Sequence, residues 1–212
     1  MTAMYIALEG PDGVGKSTVA AVLKELFQSR TAAPSYSTVR IRHFPTDALT
    51  ACAQSENHRL TAEDYARDME NWLSFRPEPA SPGTPTTADR RQPETLYILD
   101  RWALSTAVYA HLRNEKISEN TALMLNWLNR VPLTTFVLTP RDPAELTDPD
   151  FPGPDPYNPI PVAGAYRTFL TNAFVAGEMS RFVPIVVDRT ADKPESVAAK
   201  IAGWTMCLQR GM

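Results

Sequence analysis

Residues Gly10-Pro11-Asp12-Gly13-Val14-Gly15-Lys16-Ser17-Thr18 form the most informative motif of this 212-residue chain. They fit the P-loop pattern G-x-x-x-x-G-K-[ST], in which glycines let the backbone wrap closely around phosphate groups. The free N–H groups at the start of the following helix then face the anion. In this pattern Lys16 reaches the β- and γ-phosphates, and the Ser17 hydroxyl ligates Mg²⁺. The motif predicts that residues 10–18 bind a nucleoside triphosphate.

The segments on either side of this loop support the same interpretation. The apolar run over residues 4–8 (MYIAL) is typical of a buried strand. After the loop, apolar residues recur at helical spacing: Val19, Ala20, Val22, Leu23, Leu26 and Phe27. A strand, a glycine-rich turn and a helix in this order are the context that phosphate binding requires, so a chance glycine-rich turn is the weaker alternative.

Further along the chain, strand and helix patterns alternate. Alternation of apolar and polar residues predicts a strand over 37–44, and apolar runs predict strands over 95–99, 133–139 and 182–187. Helical spacing predicts helices over about 61–75, 102–113, 118–129 and 162–178, and a last helix that carries Val197, Ile201, Trp204 and Leu208 on one face. This alternation indicates an α/β fold, a doubly wound five-stranded parallel sheet flanked by helices. We find no domain break and expect one domain over residues 1–212.

Two proline-rich segments interrupt the alternation. Residues 77–93 are too dense in proline to remain helical, and we predict an exposed loop there. Residues 141–161 are acidic and proline-rich, which predicts a mobile, lid-like loop. Residues 10–18, 44–47, 100–102 and 140–142 all follow predicted strands, so we expect them to converge on one cleft beyond the carboxyl edge of the sheet.

Composition narrows the classes of partner and compartment. The net charge of −3 gives no global basic field for nucleic acid, although a local basic groove remains compatible with it. We expect no membrane partner, because no apolar run approaches the thickness of a bilayer. The first residues do not resemble a signal peptide, and the two cysteines form no metal or redox motif. We therefore expect a cytoplasmic protein. His43, His58 and His111 are scattered along the chain, and we assign them no chemistry.

Four motifs together resemble those of the thymidylate kinase family. Residues 8–18 (LEGPDGVGKST) resemble its E-G-x-D-G-x-G-K-S-T opening, and Phe44-Pro45 resembles its acceptor loop. Asp100-Arg101-Trp102 with Ser105-Thr106 and Tyr109 resembles its D-R-[YH] and S-T-x-x-Y segment, and Trp72-x-x-x-Arg76 resembles its F-x-x-x-R pair. The matches extend to about residue 110, and beyond that only the order of elements agrees.

The resemblance implies a P-loop kinase that transfers the γ-phosphate of ATP, with Mg²⁺, to a thymine-like acceptor. It implies that Trp72 stacks on the thymine, that Arg76 hydrogen-bonds it, and that Phe44, Ser105 and Tyr109 contribute to the acceptor site. It also implies a homodimer. Packing in the core is the alternative role for Trp72 and Tyr109, because aromatic residues at helical spacing mostly belong to the core.

The polar residues of these motifs suit phosphoryl transfer, which depends on positioning and on neutralising charge. Asp100 can hold Mg²⁺ or accept the acceptor's proton, and Arg101 can bridge phosphoryl oxygens. We expect Asp12 to face the acceptor hydroxyl or a metal-bound water. With Lys16, these residues are the candidate catalytic groups, and Ser17 and Asp100 are the candidate metal ligands. A structural ion pair between Asp100 and Arg101 is the alternative.

Three departures from the family pattern concern the acceptor. Asp47 follows the Phe44-Pro45 loop where the family has an arginine that binds the acceptor's phosphate. The resemblance implies a catalytic arginine in the P-loop or in the lid, but residues 10–18 and 142–161 contain no arginine, which leaves Arg141 at the entrance of the lid-like loop. The 77–93 segment, with Arg90 and Arg91, replaces a helix.

These departures favour an acceptor without a free 5′-phosphate. Loss of one charge-assisted arginine–phosphate contact costs about 1.5–3 kcal/mol, which is one to two orders of magnitude in binding. The preferred acceptor is therefore 5-hydroxymethyluracil in DNA, as in the phage 5-hydroxymethyluracil DNA kinases that the chain resembles, with the base extruded from the stack. Such a phage enzyme makes 5-phosphomethyluracil in the host cytoplasm for base hypermodification. A dTMP or dNMP kinase is the alternative, followed by a P-loop NTPase switch without an acceptor.

Overall fold

The computed structural model describes residues 3–29, 36–74, 95–146, 159–175, 182–188 and 191–210. Its strands are β1 (Ala3–Glu9), β2 (Thr38–His43), β3 (Thr95–Asp100), β4 (Thr134–Pro140) and β5 (Phe182–Val187). Its α-helices are α1 (Lys16–Gln28), α2 (Asp47–Ser55), α3 (Ala62–Ser74), α4 (Ala103–Leu112), α5 (Glu119–Leu128), α6 (Pro159–Val175) and α7 (Pro194–Arg210), with a 3₁₀ helix at Pro143–Leu146.

The five strands form one parallel sheet in the order β2-β3-β1-β4-β5. Alternate residues of the central strand β1 face two different cores. Ile6 and Leu8 pack with residues of α1 and α7, whereas Tyr5 and Ala7 pack with residues of α3, α4 and α5. Because helices cover both faces, the predicted doubly wound five-stranded α/β fold is confirmed.

Helix α2 is absent from the elements predicted from sequence. Only Ala53 of its residues is buried, so the helix has almost no apolar periodicity to reveal it. Its start has a recognisable cap, since the Thr46 side chain accepts a hydrogen bond from the Leu49 N–H and Asp47 stands in the first turn. Capping chemistry rather than hydrophobic pattern defines this helix.

The apolar face predicted for the last helix is only partly buried. The Trp204 side chain is 51% exposed, whereas Val197 and Ile201 are buried. Thr205 takes the inward position, and it is tolerated there because its hydroxyl donates to the Ile201 carbonyl at 2.9 Å.

The predicted lid-like loop over 141–161 was too long. The 3₁₀ helix occupies its first part, and α6 begins three residues before the predicted start, at Pro159, where proline suits the first helical turn.

Some predicted features lie outside the described residues: residues 147–158, the 77–93 loop, Arg76, Arg90 and Arg91. None of the described helices is both long enough and apolar enough to span a bilayer.

Candidate active site

The loop between β1 and α1 has the backbone that the motif predicts. Gly10 adopts a φ of 137°, and a Cβ at this position would lie 2.2 Å from the Leu138 carbonyl oxygen of β4. Gly13 and Gly15 also have positive φ, and Gly15 caps α1 in the left-handed conformation. These conformations wrap the chain around the N-terminus of α1, where the helix dipole favours an anion.

Lys16 is held inside this loop. Its Nζ donates to the Pro11 carbonyl oxygen at 2.7 Å and lies 3.8 Å from Asp12 Oδ1. The side chain is only 5% exposed, so its ammonium group belongs to the loop rather than to bulk solvent. A cation fixed here is suited to bind the terminal phosphates of a nucleotide.

Ser17 and Asp100 meet beside the loop. The Ser17 hydroxyl donates to Asp100 Oδ2 at 2.6 Å, and His43 Nδ1 lies 3.0 Å from the same oxygen. No group of three or more His, Cys, Asp or Glu side chains suitable for a metal occurs among the described residues. Mg²⁺ needs only one or two protein oxygens, because waters and substrate phosphates complete its shell. The hydroxyl and carboxylate pair therefore fits Mg²⁺.

Arg101 pairs with Asp12 of the phosphate loop. The Arg101 guanidinium forms an ion pair with the Asp12 carboxylate, and it also lies 5.2 Å from the centre of the Tyr109 ring. Its own φ is 66°, a left-handed conformation that is uncommon for a residue other than glycine. The partner of Arg101 is thus Asp12, and not Asp100, the partner in the structural alternative. Asp100 instead contacts Ser17 and His43.

A cavity of about 620 Å³ opens next to this ion pair. Its lining residues are Asp12, Phe44, Pro45, Thr50, Arg59, Leu60, Tyr65, Met69, Arg101, Trp102, Ser105, Thr106, Tyr109 and Arg113. The wall combines an aromatic and apolar surface with three guanidinium groups. Such a surface matches a planar base and an anion in one ligand. The predicted acceptor residues Phe44, Ser105 and Tyr109 all line it.

Trp72 lies behind the cavity wall. Its ring makes edge contacts with Tyr5, Phe44, Tyr97 and Trp102, at centroid distances of 5.4 to 6.3 Å. Tyr65 and Met69 are the residues of α3 that face the cavity. The contacts of Trp72 are those of the packing alternative, while Phe44, which it supports, faces the cavity directly. Stacking of Trp72 on a base stays a prediction.

Two arginines that line the cavity were not identified from the sequence. Arg59 lies between α2 and α3, and Arg113 follows α4, where its Nη2 lies 2.6 Å from Glu115 Oε2. Neither belongs to a local motif, so only the tertiary structure brings them to the cavity. His43 was also missed, although it is the last residue of β2 and stands opposite Asp100 in the strand register.

Glu9, the last residue of β1, is a fully buried acid behind the same wall. Its Oε1 accepts from the backbone N–H groups of Trp102 and Ser105, at 3.0 and 3.1 Å. The Ser105 hydroxyl donates to Oε2 and is 2.7 Å from the Tyr166 hydroxyl. Burial raises the pKa of Glu9 to about 7, although the bonds from Ser105 and the charges of Arg101 and Lys16 lower it.

Comparison with known proteins finds likeness among solved structures only. No protein-family model matches the chain, and no curated protein matches it in sequence. Among solved structures, the chain is similar to the thymidylate kinase from Ehrlichia chaffeensis, with a TM-score of 0.63 and 14% sequence identity. The match covers 97% of this chain and 99% of that chain. The chain therefore has the fold of a thymidylate kinase over almost its whole length.

Proposed function

We propose that this chain is an ATP-dependent phosphotransferase that uses Mg²⁺ and acts on a thymine-like acceptor. The Asp12–Arg101 ion pair is the observation that carries the proposal. Asp12 belongs to the phosphate loop, Arg101 follows β3, and both side chains line the 620 Å³ cavity. A terminal phosphate in the loop and an acceptor in the cavity therefore come together at this pair.

Each polar group then has a role that its position supports. Lys16 neutralises charge on the terminal phosphates, and Arg101 bridges oxygens of the migrating phosphoryl group. Ser17 and Asp100 hold Mg²⁺, which supplies further neutralisation of the phosphate oxygens. Asp12 is positioned to orient the hydroxyl or phosphate oxygen of the acceptor that attacks.

The charges around the cavity favour a free nucleotide as acceptor. Arg59, Arg101 and Arg113 all line it, so a phosphate dianion has cationic partners even without an arginine after Phe44-Pro45. Asp47 is exposed and is not among the lining residues, so its carboxylate does not face a dianion bound in the cavity. A thymine-like nucleoside monophosphate thus matches both the apolar and the cationic parts of the wall.

A base in DNA is the second candidate, and the acceptor loop itself favours it. Residues 44–55 contain no Lys or Arg. Thr46 at the start of this segment donates from both its N–H and its hydroxyl to Asp68, at 2.8 Å each. This loop therefore offers no cationic group to a terminal phosphate, which suits 5-hydroxymethyluracil whose neighbouring phosphates are diesters.

One transfer assay separates these functions. ATP labelled in its γ-phosphate is offered with dTMP, and separately with DNA that contains 5-hydroxymethyluracil. We expect label in dTDP, none after Lys16→Ala, and normal transfer after Lys24→Ala, a substitution further along α1. Label in DNA but not in dTDP would establish the second candidate. ATP hydrolysis without transfer to either acceptor would contradict the kinase function.

A further inference from the structure

Glu9 takes the place of a capping side chain for α4. Trp102, the N-cap residue of that helix, has no side-chain capping bond of its own. Glu9 Oε1 instead accepts the Trp102 and Ser105 N–H groups, although Glu9 lies 93 residues before Trp102. The first N–H groups of a helix lack intrahelical partners, so a carboxyl here satisfies donors that would otherwise be buried and unpaired.

This cap fixes a turn of only two residues. β3 ends at Asp100 and α4 begins at Ala103, so Arg101 and Trp102 make the whole connection. Arg101 has the left-handed φ of 66°, which is strained for a residue with a Cβ. Its N–H donates to the Leu8 carbonyl at 3.0 Å, and the next N–H in the chain donates to Glu9. Two consecutive residues of β1 therefore hold the turn in its strained form.

The same carboxyl joins a third element. The Ser105 hydroxyl donates to Glu9 Oε2 and contacts the hydroxyl of Tyr166 on α6. Glu9, Ser105 and Tyr166 are all buried. Glu9 is not a lining residue of the cavity, whereas Arg101, Trp102 and Ser105 are. Its effect on a bound acceptor must therefore pass through the residues it holds.

We propose that Glu9 is a positioning residue, whose bonds to Trp102 and Ser105 set the Arg101 guanidinium against Asp12 at the boundary of phosphate loop and cavity. The kinetic part of this inference rests on the proposed function. The geometric part does not, because the capping bonds exist without any substrate. The two N–H groups require an acceptor oxygen at the position of Glu9 Oε1. They do not require that this oxygen carry a negative charge.

Two conservative substitutions separate geometry from charge. In Glu9→Gln the amide oxygen still accepts both N–H groups, and the amide NH₂ can donate to Ser105. Glu9→Asp keeps the charge but is one methylene too short to reach both. We expect faster hydrogen exchange in the segment 101–105 and about tenfold lower kcat in Glu9→Asp, with near-normal values in Glu9→Gln. ATP affinity should stay within about twofold in both, because α1 and its loop are untouched.

The exposed Glu25 of α1 provides matched controls, and Glu25→Asp and Glu25→Gln should change neither measurement. Combining Glu9→Asp with Arg101→Lys tests whether Glu9 acts through Arg101. If it does, the kcat of the double variant should be no lower than that of Arg101→Lys alone. Normal activity in Glu9→Asp with loss in Glu9→Gln would overturn the proposal, as would fully additive effects in the double variant. Failure of the wild type to phosphorylate either acceptor contradicts the proposed function, whereas unchanged exchange in Glu9→Asp contradicts the positioning role.

Discussion

The Ser17 hydroxyl lies 2.6 Å from Asp100 Oδ2, although 83 residues separate the two positions. The cause is the pairing of β1 with β3, which places Leu8 opposite Asp100 and brings the end of β3 beside the loop that follows β1. Two short motifs that are remote in sequence thereby form a single oxygen-rich site. The site is a property of the strand order as much as of either motif.

Asp100→Asn tests this site. The amide keeps the size of the side chain and removes its charge, so we expect the Mg²⁺ concentration for half-maximal activity to rise about tenfold or more. Nucleotide affinity without Mg²⁺ should change little. Magnesium titrations of activity and binding measure both. His43→Ala, which removes the other neighbour of Asp100, is the control and should keep a near-normal magnesium requirement; an unchanged requirement in Asp100→Asn would make that residue structural.

Arg59→Ala tests whether the cavity binds a phosphate dianion. Loss of one charge-assisted contact should raise the KM for dTMP about 10–100-fold and leave ATP affinity unchanged. Arg67→Ala is the control, because Arg67 is exposed on α3 and pairs with Glu63 on the same helix. Steady-state kinetics with dTMP as the varied substrate give the answer. An unaltered KM in Arg59→Ala would favour an acceptor without a terminal phosphate.

Gly10→Ala and Gly203→Ala should shift stability in opposite directions. A Cβ at Gly10 would lie 2.2 Å from the Leu138 carbonyl oxygen and would also require a positive φ, so we expect a loss of about 3 kcal/mol or more in unfolding free energy. At Gly203 in α7 a Cβ meets no atom within 4 Å, and alanine should add about 0.5–1 kcal/mol. Urea unfolding of the two variants measures both. Equal stability of Gly10→Ala and the wild type would contradict the close approach of Gly10 to β4.

The raised pKa of Glu9 predicts a pH dependence of stability. Because its pKa is about 7 in the folded chain and 4.5 otherwise, the folded state binds the proton more tightly. Glu9 therefore contributes about 3 kcal/mol of stability below pH 4.5, and this contribution is lost as the pH rises through about 7. From pH 6 to pH 8 the wild type should lose about 1 kcal/mol more than Glu9→Gln. Urea unfolding at the two pH values measures the loss in each protein. An equal loss of unfolding free energy in the wild type and in Glu9→Gln would contradict this prediction.

The fold could be predicted from sequence because its strongest elements depend on local patterns. Four of the five strands are short apolar runs, and β2 alternates apolar and polar residues. The strand boundaries in the structure differ from the predicted ones by about a residue. Helix α2 was missed because it buries one alanine. The exposure of Trp204 does not follow from helical spacing, because spacing shows which residues share a face but not how far a neighbouring element covers that face.

The candidate site could be predicted only in part. The phosphate loop, Asp100, Arg101, Phe44, Ser105 and Tyr109 belong to contiguous motifs, and the structure brings them to one cleft. Arg59 and Arg113 reach the cavity from loops with no motif, so their role depends on long-range packing. The capping bonds of Glu9 join residues more than ninety positions apart, and no local pattern encodes such a pair.

The Asp12–Arg101 pair has a consequence for the kinetic order of the proposed reaction. The Asp12 carboxylate and the Arg101 guanidinium border both the phosphate loop and the cavity. A ligand bound in either place therefore changes the electrostatic field in the other. Donor and acceptor affinities are then thermodynamically coupled, and direct transfer requires both molecules to be bound at once. Initial-velocity plots should therefore intersect, as for a ternary complex, rather than run parallel as for a phosphorylated enzyme intermediate.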